Sequence, residues 1–420
     1  MPKKNRETEI LYHLPITRHW LEQFVLVSHM AGQSSYRRIR WSIKWLFDYE
    51  ISLDAISNIL SKHDATITAI HKSEDLKAID CGANDEIFQC NKPILAGAHP
   101  YSLYCYLLSK ETHRDHETWA INLYDLENKG YNPKFNIADN GSGLRKGHQH
   151  VFGNKPLRGD HYHILKTLSD LKRHLANKVK RSETAILNAE EQTQPTAYLK
   201  NEYTTNKKIS EAMNTLIGWL QMDVLRIAGP DYEERSYLYD FIVDSISEIE
   251  QLYPERLGKA KRALIKQKHQ LLSFAQSMDA RVREIAVDLK VSPHLCWQLC
   301  EMLRYKPGRA KQVNQEQVLR RKLKGKYYET HQAISKLVAT TIRTSSCIEN
   351  YNSRIRPYFV LRKNVDQPFL NRLRFFLNHA PLLESSIPER RGKSPAQLLY
   401  KKEHPCWLEM LGYTMFKKAA

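Results

Sequence analysis

Three acidic segments that lie far apart in the chain contain the residue types needed for phosphodiester chemistry. They place Asp85 in Asn-Asp-Glu-Ile-Phe, Asp139 in Ile-Ala-Asp-Asn-Gly, and Glu349 in Ser-Ser-Cys-Ile-Glu-Asn. Carboxylate oxygens are the ligands that Mg²⁺ and Mn²⁺ prefer, and two such ions about 3.5–4 Å apart suit in-line displacement at phosphorus. We therefore expect these three acids to form a catalytic site that holds two Mg²⁺ or Mn²⁺ ions.

Neighbouring acids are alternatives to the first two members of this set. Glu86 is adjacent to Asp85, and alternation along a strand lets only one of the two face inward. Asp80 is a weaker alternative at the same strand. Asp160 follows Asp139 at the start of the sequence Asp-His-Tyr-His and is an alternative second acid.

The pair Asp160 and His163 has the spacing D-x-x-H. A histidine beside an aspartate can ligate a metal, but imidazole suits zinc or iron better than Mg²⁺. We therefore expect Asp160 and His163 to hydrogen-bond and orient the floor of the site. Asn350, directly after Glu349, is a further supporting or alternative polar residue.

The charge of the chain favours a polyanionic partner. Its 420 residues include 64 Lys and Arg against 46 Asp and Glu, which gives a net charge of +18. Nucleic acid is the commonest partner of such a surface, and membrane lipid is second. No apolar run approaches the roughly 18 residues needed to span a bilayer, and no apolar segment follows the basic start as in a signal peptide. We expect a cytoplasmic protein with no membrane partner.

The seven cysteines do not form a recognisable framework. Their number is odd and the chain is large, so we expect reduced thiols. Cys296 and Cys300 are four positions apart in a predicted helix, but no second Cys/His pair has zinc-site spacing. We interpret both as ordinary helix residues.

Residues 1–75 have the pattern of a compact helical domain. Apolar residues of the stretch 36–49 recur at helical spacing, and Ser52 then caps a second helix. Two short helices around a tight turn suggest a helix-turn-helix, and a helical hairpin with solvated basic residues is the alternative. The candidate DNA contacts of the first helix are Arg37, Arg38, Arg40 and Lys44.

Residues 76–165 have an α/β pattern, because short β-like runs are followed by alternating helix and strand signals. The predicted elements are strands near 86–88, 93–98 and 103–108, a helix near 116–126, and a strand that ends at Asp139.

Residues 166–340 are almost entirely helical in pattern, and residues 341–420 contain the third acid. Basic residues are concentrated near 304–326 and again after Glu349. The candidate DNA contacts there are Arg304, Arg309, Lys311, Arg320, Arg321, Lys322, Arg354, Arg356, Arg362 and Lys363.

Taken together, these motifs resemble a bacterial insertion-sequence transposase of the DDE type. The second acid followed by C/D-x-x-H, with a helical stretch before the glutamate, is similar to the Mutator-like and hAT-like branches. The resemblance covers roughly residues 35–415. The segments that carry it are 85–88 with 93–95, 138–141, Asp160-x-x-His163, 346–358 and Arg362-Lys363.

The resemblance implies an α/β RNase H-like catalytic core interrupted by a large all-α insertion, with an N-terminal helix-turn-helix-like DNA-binding domain. The implied bounds are 1–75 for the DNA-binding domain, 76–165 and 341–420 for the two parts of the core, and 166–340 for the insertion. Trp219 and Trp297 in the insertion are candidates for stacking on DNA bases, although core packing is the favoured interpretation.

The activity implied by the resemblance is metal-dependent cleavage and strand transfer of double-stranded DNA at terminal inverted repeats. Asp85, Asp139 and Glu349 would ligate the ions. A homodimer or larger assembly would hold the two ends together, in a prokaryotic, nucleoid-associated setting.

Two other classes share some of these features. A catalytically inactive, sequence-specific DNA-binding protein derived from a transposase would keep the helices and basic faces. A stand-alone RNase H-like nuclease would keep the acids. The insertion and the N-terminal helices favour transposition, because ends must be recognised and paired. Gly392-Lys393-Ser394 mimics the end of a P-loop, but Ile387 stands where that motif requires glycine, which excludes a nucleotide hydrolase of this kind.

Overall fold

A computed structural model describes residues 15–138, 141–159, 161–253, 257–342, 346–360, 362, 365–385 and 387–415. These residues are mostly helical and include five strands. In chain order the helices and strands are α1 (Arg18–Met30), α2 (Tyr36–Phe47), α3 (Leu53–Ser61), α4 (Asp64–Lys72), β1 (Cys81–Gln89), β2 (Lys92–Ala98), β3 (Cys105–Lys110), α5 (His116–Asn128), β4 (Phe135–Ala138), α6 (Ser142–Phe152), β5 (Leu157–Gly159), α7 (His161–Glu191), α8 (Ala197–Trp219), α9 (Tyr232–Leu252), α10 (Leu257–Asp288), α11 (Pro293–Met302), α12 (Ala310–Leu323), α13 (Tyr327–Thr340), α14 (Ser346–Val360), α15 (Gln367–His379) and α16 (Pro395–Tyr400).

The chain divides into two compact units. Unit 1 contains residues 1–133, 146–151 and 347–420, and unit 2 contains residues 134–145 and 152–346. None of the helices in the described residues is both long and apolar enough to cross a lipid bilayer.

The N-terminal helices of unit 1 begin at side-chain caps. Ser35 and Ser52 accept hydrogen bonds from the third backbone N–H beyond them, at the starts of α2 and α3. These bonds satisfy donors that the first helical turn leaves unpaired. The predicted helix in 36–49 and the predicted cap at Ser52 are confirmed. The apolar faces of α2 and α3 pack inward through Ile39, Ile43, Ile56 and Leu60.

The sheet of unit 1 is an antiparallel meander. The turn between β1 and β2 is only two residues long, and Cys90 and Asn91 both have positive φ values of 48° and 60°. Two consecutive positive values are what a tight hairpin turn needs to match the twist of its strands. The third strand starts at Cys105, two residues later than predicted. Leu103 has a φ of 62°, which ends any extended run and turns the chain into β3 instead.

Unit 2 combines a parallel strand pair with a helical body. Ala138 of β4 lies opposite Gly159 of β5. The described part of the helical body runs from His161, and its buried residues form two clusters, one centred on α7 to α10 and the other on α10 to α13. This agrees with the helical pattern predicted for 166–340.

A buried arginine ties together the irregular segment that follows α8 in unit 2. Arg235 is fully buried and donates to the backbone carbonyls of Val224 at 2.6 Å, Pro230 at 2.6 Å and Ile227 at 2.9 Å. The carbonyls at a helix end have no intrahelical partner, so these donors replace water. One side chain thereby fixes a loop that carries no regular hydrogen-bond ladder.

The edge strand β3 is covered by helix α15 of the same unit. The Asn378 side chain pairs with both backbone groups of Cys105: it accepts from the N–H at 2.8 Å and donates to the C=O at 2.8 Å. Arg374 donates to the same carbonyl at 3.0 Å and forms a buried ion pair with Glu74. Burial would lower the pKa of the Arg374 guanidinium, but the Glu74 carboxylate and nearby groups outweigh it and raise that pKa.

We expect Asn378→Ala to destabilise the protein by about 1–3 kcal/mol, because it leaves the buried N–H of Cys105 without an acceptor. Chemical denaturation of the full chain would measure the change. The matched control is Asn371→Ala on the same helix, since Asn371 only accepts from Gln367 at 2.9 Å and is half-buried. Equal losses in both variants would contradict the importance of the Cys105 contact.

Three buried histidines of unit 1 make its stability depend on pH. Burial, followed by neighbouring positive charge, lowers the pKa of His29 to about 4 and the pKa of His71 to about 2. Burial also lowers the pKa of His379 to about 4. The unfolded chain therefore binds protons below about pH 6.5 that the folded chain does not bind, so stability falls as the pH drops through this window.

We expect the free energy of unfolding to be constant above pH 6.5 and to fall by about 1.4 kcal/mol per pH unit for each histidine between pH 6.5 and 5. Urea midpoints at pH 7, 6 and 5 would test this. Within the part of the chain that the structure describes, neither ring nitrogen of His71 has a hydrogen-bond partner, so His71→Leu should fold and show a shallower slope by about one proton. A slope that His71→Leu leaves unchanged would contradict the assignment.

Candidate functional site

Strand β1 holds two adjacent carboxylates on its opposite faces. Asp85 is partly buried, and its Oδ2 accepts from the Asn352 side-chain amide at 2.6 Å. Its Oδ1 accepts from the backbone N–H of Glu86 at 2.8 Å. Because side chains alternate along a strand, Glu86 faces away from Asn352. The structure thus places Asp85, and not Glu86, on the side of β1 that meets helix α14.

Glu86 is instead held on the α5 side of the sheet. Its Oε1 accepts from the Trp119 indole N–H at 2.9 Å, and its Oε2 pairs with Arg114 at 3.0 Å. Trp119 is itself fully buried. A carboxylate with an arginine and an indole as partners has its charge compensated and both of its oxygens engaged. Its contacts are those of a structural residue.

Helix α14 runs along β1 and is held at two polar points. The first is the contact between Asn352 and Asp85. The second is Gln89, whose side-chain amide donates to the Phe359 carbonyl of α14 at 3.4 Å and to the Arg362 carbonyl just beyond the helix at 2.9 Å. Apolar side chains fill the space between helix and strand and belong to one core, and they include Ala83, Ile87, Ile348, Tyr351 and Ile355.

Glu349 and Asn350 lie in the first turns of α14. Glu349 precedes Asn352 by three positions, and residues three apart on a helix have Cβ atoms about 5–6 Å apart. The helix position of the predicted third acid is therefore one turn from the residue that contacts Asp85.

The other two predicted acids, Asp139 and Asp160, lie outside the described residues. The strands before them end at Ala138 and Gly159, which pair with each other in the parallel ladder of unit 2. His163 is half-buried in the first turn of α7.

The predicted basic residues of α2 lie on its exposed face. Arg37, Arg38, Arg40 and Lys44 are all exposed. Lys44 is bridged to Asp48 at 2.8 Å and to Glu50 at 3.1 Å, and these two carboxylates raise its pKa. Its charge is therefore partly compensated, which leaves the three arginines as the stronger candidates for anion contact.

Sequence analysis missed two tryptophans on the same face. Trp41 is 66% exposed and Trp45 is 86% exposed. The spacing could have predicted this, because Trp41 and Trp45 are four positions apart and neither lies on the buried face of α2 that contains Ile39 and Ile43. We call the set Arg37, Arg38, Arg40, Trp41 and Trp45 the α2 face.

The basic residues predicted in unit 2 divide into engaged and exposed groups. Arg304 is ion-paired with Asp223, and Arg320 is bonded to Glu316 at 2.7 Å and lies 5.0 Å from the Tyr328 ring centroid. Arg309, Lys311, Arg321 and Lys322 are exposed at the surface of unit 2, and Arg320 is exposed as well as paired.

The basic run after Glu349 is largely structural. Arg354 is half-buried, and burial lowers the pKa of its guanidinium. Arg362 bonds His29 and stacks 3.8 Å from the Phe369 ring centroid. Arg356 is exposed. Lys363 lies outside the described residues.

The two tryptophans predicted as core residues of the insertion have different environments. Trp297 is partly buried and packs against the second cluster of unit 2, as expected. Trp219 is 40% exposed, so the expectation of core packing is wrong for this residue. It lies at the end of α8, where the chain enters a π-helical turn and the side chain points away from the buried stripe.

Comparison with known proteins leaves the family of this chain open. No protein-family model matches the sequence, and no curated protein matches it. Among solved structures the chain is similar to a Drosophila P element transposase strand transfer complex, at 11% sequence identity and a TM-score of 0.28, over 95% of this chain and 92% of that one. A TM-score this low does not establish a shared fold.

Proposed function

We propose that this protein is a DNA transposase of the DDE type, with an RNase H-like core. In this proposal it binds the terminal inverted repeats of an insertion sequence, cleaves the DNA at those ends and joins the freed 3′-hydroxyl to target DNA. Asp85, Asp139 and Glu349 are the proposed catalytic acids. Two or more copies of the chain hold the two ends together.

The observation that carries this proposal is the contact between Asn352 and Asp85. The two residues are 267 positions apart in the chain, yet the amide and carboxylate lie 2.6 Å apart. This contact brings the helix that contains Glu349 onto the strand that contains Asp85. A site built from distant acids needs such a meeting of elements, and helix α14 with strand β1 provides it for the first and third acid.

The donor set fits a hard divalent cation. All three proposed ligands are carboxylates, and oxygen ligands suit Mg²⁺ and Mn²⁺. The Asn352 amide and the Glu86 backbone N–H both donate to Asp85, and the Glu86 side chain is paired with the cationic Arg114. When bound, divalent ions would activate the attacking water or 3′-hydroxyl and stabilise the leaving oxygen. Asn352 then acts as a positioning residue, because its amide fixes the direction of the Asp85 carboxylate.

The α2 face and helix α3 are the proposed DNA-reading surface. In helix-turn-helix proteins the first helix of the pair crosses the sugar–phosphate backbone and the second enters the major groove. The arginines of the α2 face suit phosphate contact. On α3 the exposed Asn58 has the amide that pairs well with adenine. The arginines therefore lie on α2, the helix that would cross the sugar–phosphate backbone of the DNA in this docking mode.

We expect Asp85→Asn and Glu349→Gln to lower cleavage of a labelled DNA carrying the element's own ends by about a thousandfold, because each removes several kcal/mol of charge stabilisation. Binding should persist in both variants. We expect Asn352→Ala to cost about 10- to 100-fold and to raise the Mg²⁺ concentration needed for half-maximal cleavage.

The matched control for these variants is Glu86→Gln, which keeps the neighbouring position polar and should retain cleavage within a few-fold. A loss in Glu86→Gln equal to that in Asp85→Asn would mean that the first acid is misassigned. Wild-type binding without cleavage in Mg²⁺ or Mn²⁺ would favour an inactive DNA-binding protein. Cleavage at sites other than the ends, with no strand transfer, would favour a stand-alone nuclease.

We expect Arg37→Ala to weaken DNA binding by a similar factor on all sequences and to reduce the slope of log affinity against log salt by about 1, as loss of one phosphate contact requires. Fluorescence anisotropy at several salt concentrations would measure both quantities. Lys402→Ala is the control, because Lys402 is an exposed basic residue of the same unit that lies outside the α2 face. The same change of slope in both variants would rule out a specific role for the α2 face.

A further inference from the structure

Three metal-ligating side chains of different types meet where β1 begins and β2 ends. Asp80 directly precedes β1, Cys81 is its first residue, and His99 directly follows β2. The ligand atoms of the three residues all lie within 4.8 Å of one another. Among the residues that the structure describes, no other group of three or more such side chains comes this close. We call this set the Asp80 cluster.

The meeting follows from the antiparallel pairing of β1 with β2. Ala83 lies opposite Ala98, so the residues just before Ala83 and just after Ala98 are side by side. Cys81 is fully buried, and His99 is 8% exposed at its side chain. Asp80 is 52% exposed at its side chain. The cluster is therefore closed toward the sheet and open to solvent on the Asp80 side.

Ser102 fixes one nitrogen of the His99 imidazole through its hydroxyl and its backbone N–H, and the other ring nitrogen faces Asp80. The His99 Nδ1 lies 2.8 Å from Ser102 Oγ, and its Nε2 lies 3.4 Å from Asp80 Oδ1. The backbone N–H of His99 donates to the Tyr104 carbonyl at 2.8 Å, which holds the tight turn that follows His99. Metal-ligating histidines almost always have one ring nitrogen bonded to a fixed protein group, which directs the other nitrogen at the ion.

The ligand types select a particular metal. A thiolate, an imidazole and a carboxylate are together the donors of zinc sites, and a thiolate disfavours Mg²⁺. Ligand atoms of a tetrahedral zinc site lie about 3.5 Å apart, so the Asp80 cluster has to close by about 1 Å. Three protein ligands leave the fourth position for water, and the exposed Asp80 side is where water has access.

We propose that Asp80, Cys81 and His99 bind one Zn²⁺ ion. The ion would join the start of β1 to the end of β2 and so brace the strand that contains Asp85. This site is distinct from the proposed catalytic site, because Cys81 and Asp85 are four residues apart on an extended strand, or about 13 Å. It does not depend on the proposed transposase activity.

Zinc titration of the chelator-treated full-length protein tests this proposal, with bound metal measured by elemental analysis. We expect one Zn²⁺ per chain, bound with sub-micromolar affinity and not displaced by millimolar Mg²⁺. His99→Gln and Asp80→Asn should weaken binding at least tenfold, and Ser102→Ala should weaken it about 10- to 100-fold. Asp80 is exposed, so Asp80→Asn should fold even if substitutions of the buried His99 or Ser102 do not, and it can then test the proposal alone.

Co²⁺ substitution gives a second measurement, which responds to metal ligation by Cys81 and would show no effect if Cys81 were only a packing residue. A thiolate ligand produces a sulfur-to-cobalt charge-transfer band, which Cys81→Ser should abolish. The exposed Cys90 is the matched control, and Cys90→Ser should leave both the band and the zinc stoichiometry unchanged. Less than half an equivalent of Zn²⁺, no thiolate band in the wild type, or equal loss in Cys90→Ser would overturn the proposal.

Discussion

The sheet of unit 1 depends on hydrogen-bond partners for the backbone groups of its edge strand, β3. An edge strand presents backbone N–H and C=O groups that must find partners when they are buried. At Cys105 those partners are the Asn378 amide and the Arg374 guanidinium, both from α15. Arg374 also neutralises Glu74, which is otherwise a buried charge. Removing one member of such a pair leaves an uncompensated buried ion, which is strongly unfavourable. These bonds fix the position of α15 against β3.

Strand β1 is the element in which structure and proposed function meet. One of its faces is polar inside the fold: Asn84 is buried and accepts from the Tyr106 hydroxyl at 2.8 Å, and Glu86 bonds Trp119. The Tyr106 ring crosses directly over Gly97, where an added Cβ would lie 2.8 Å from its Cζ. The other face packs apolar residues against α14 and presents Asp85 to Asn352. A strand covered on both faces holds its register firmly, which suits a residue that must be positioned for chemistry.

Counting basic residues overstates the surface available for the proposed contact with DNA. Arg304 and Arg362 are partly buried and have carboxylate, aromatic or imidazole partners within their own units, and the exposed Arg320 is paired with Glu316. The α2 face differs because its arginines are exposed beside two exposed tryptophans. Exposed aromatic and arginine side chains in one patch are typical of binding surfaces.

The sequence by itself determined the elements and their local ends. Ser35 and Ser52 start their helices as the capping pattern predicts, the strand runs at 86–88 and 93–98 fall within β1 and β2, and the helix near 116–126 is α5. These features arise from interactions between residues close in the chain, which a pattern can express.

Only the tertiary structure decided between neighbouring candidates. Alternation along β1 lets only one of Asp85 and Glu86 face helix α14, and the contacts with Asn352 and Trp119, which reach β1 from other parts of the chain, show that it is Asp85. The same holds for the engaged arginines, for the exposed Trp219, and for the Asp80 cluster, whose residues meet only because β1 and β2 pair. Contacts between distant residues depend on how elements pack, and no local pattern of residue types contains that information.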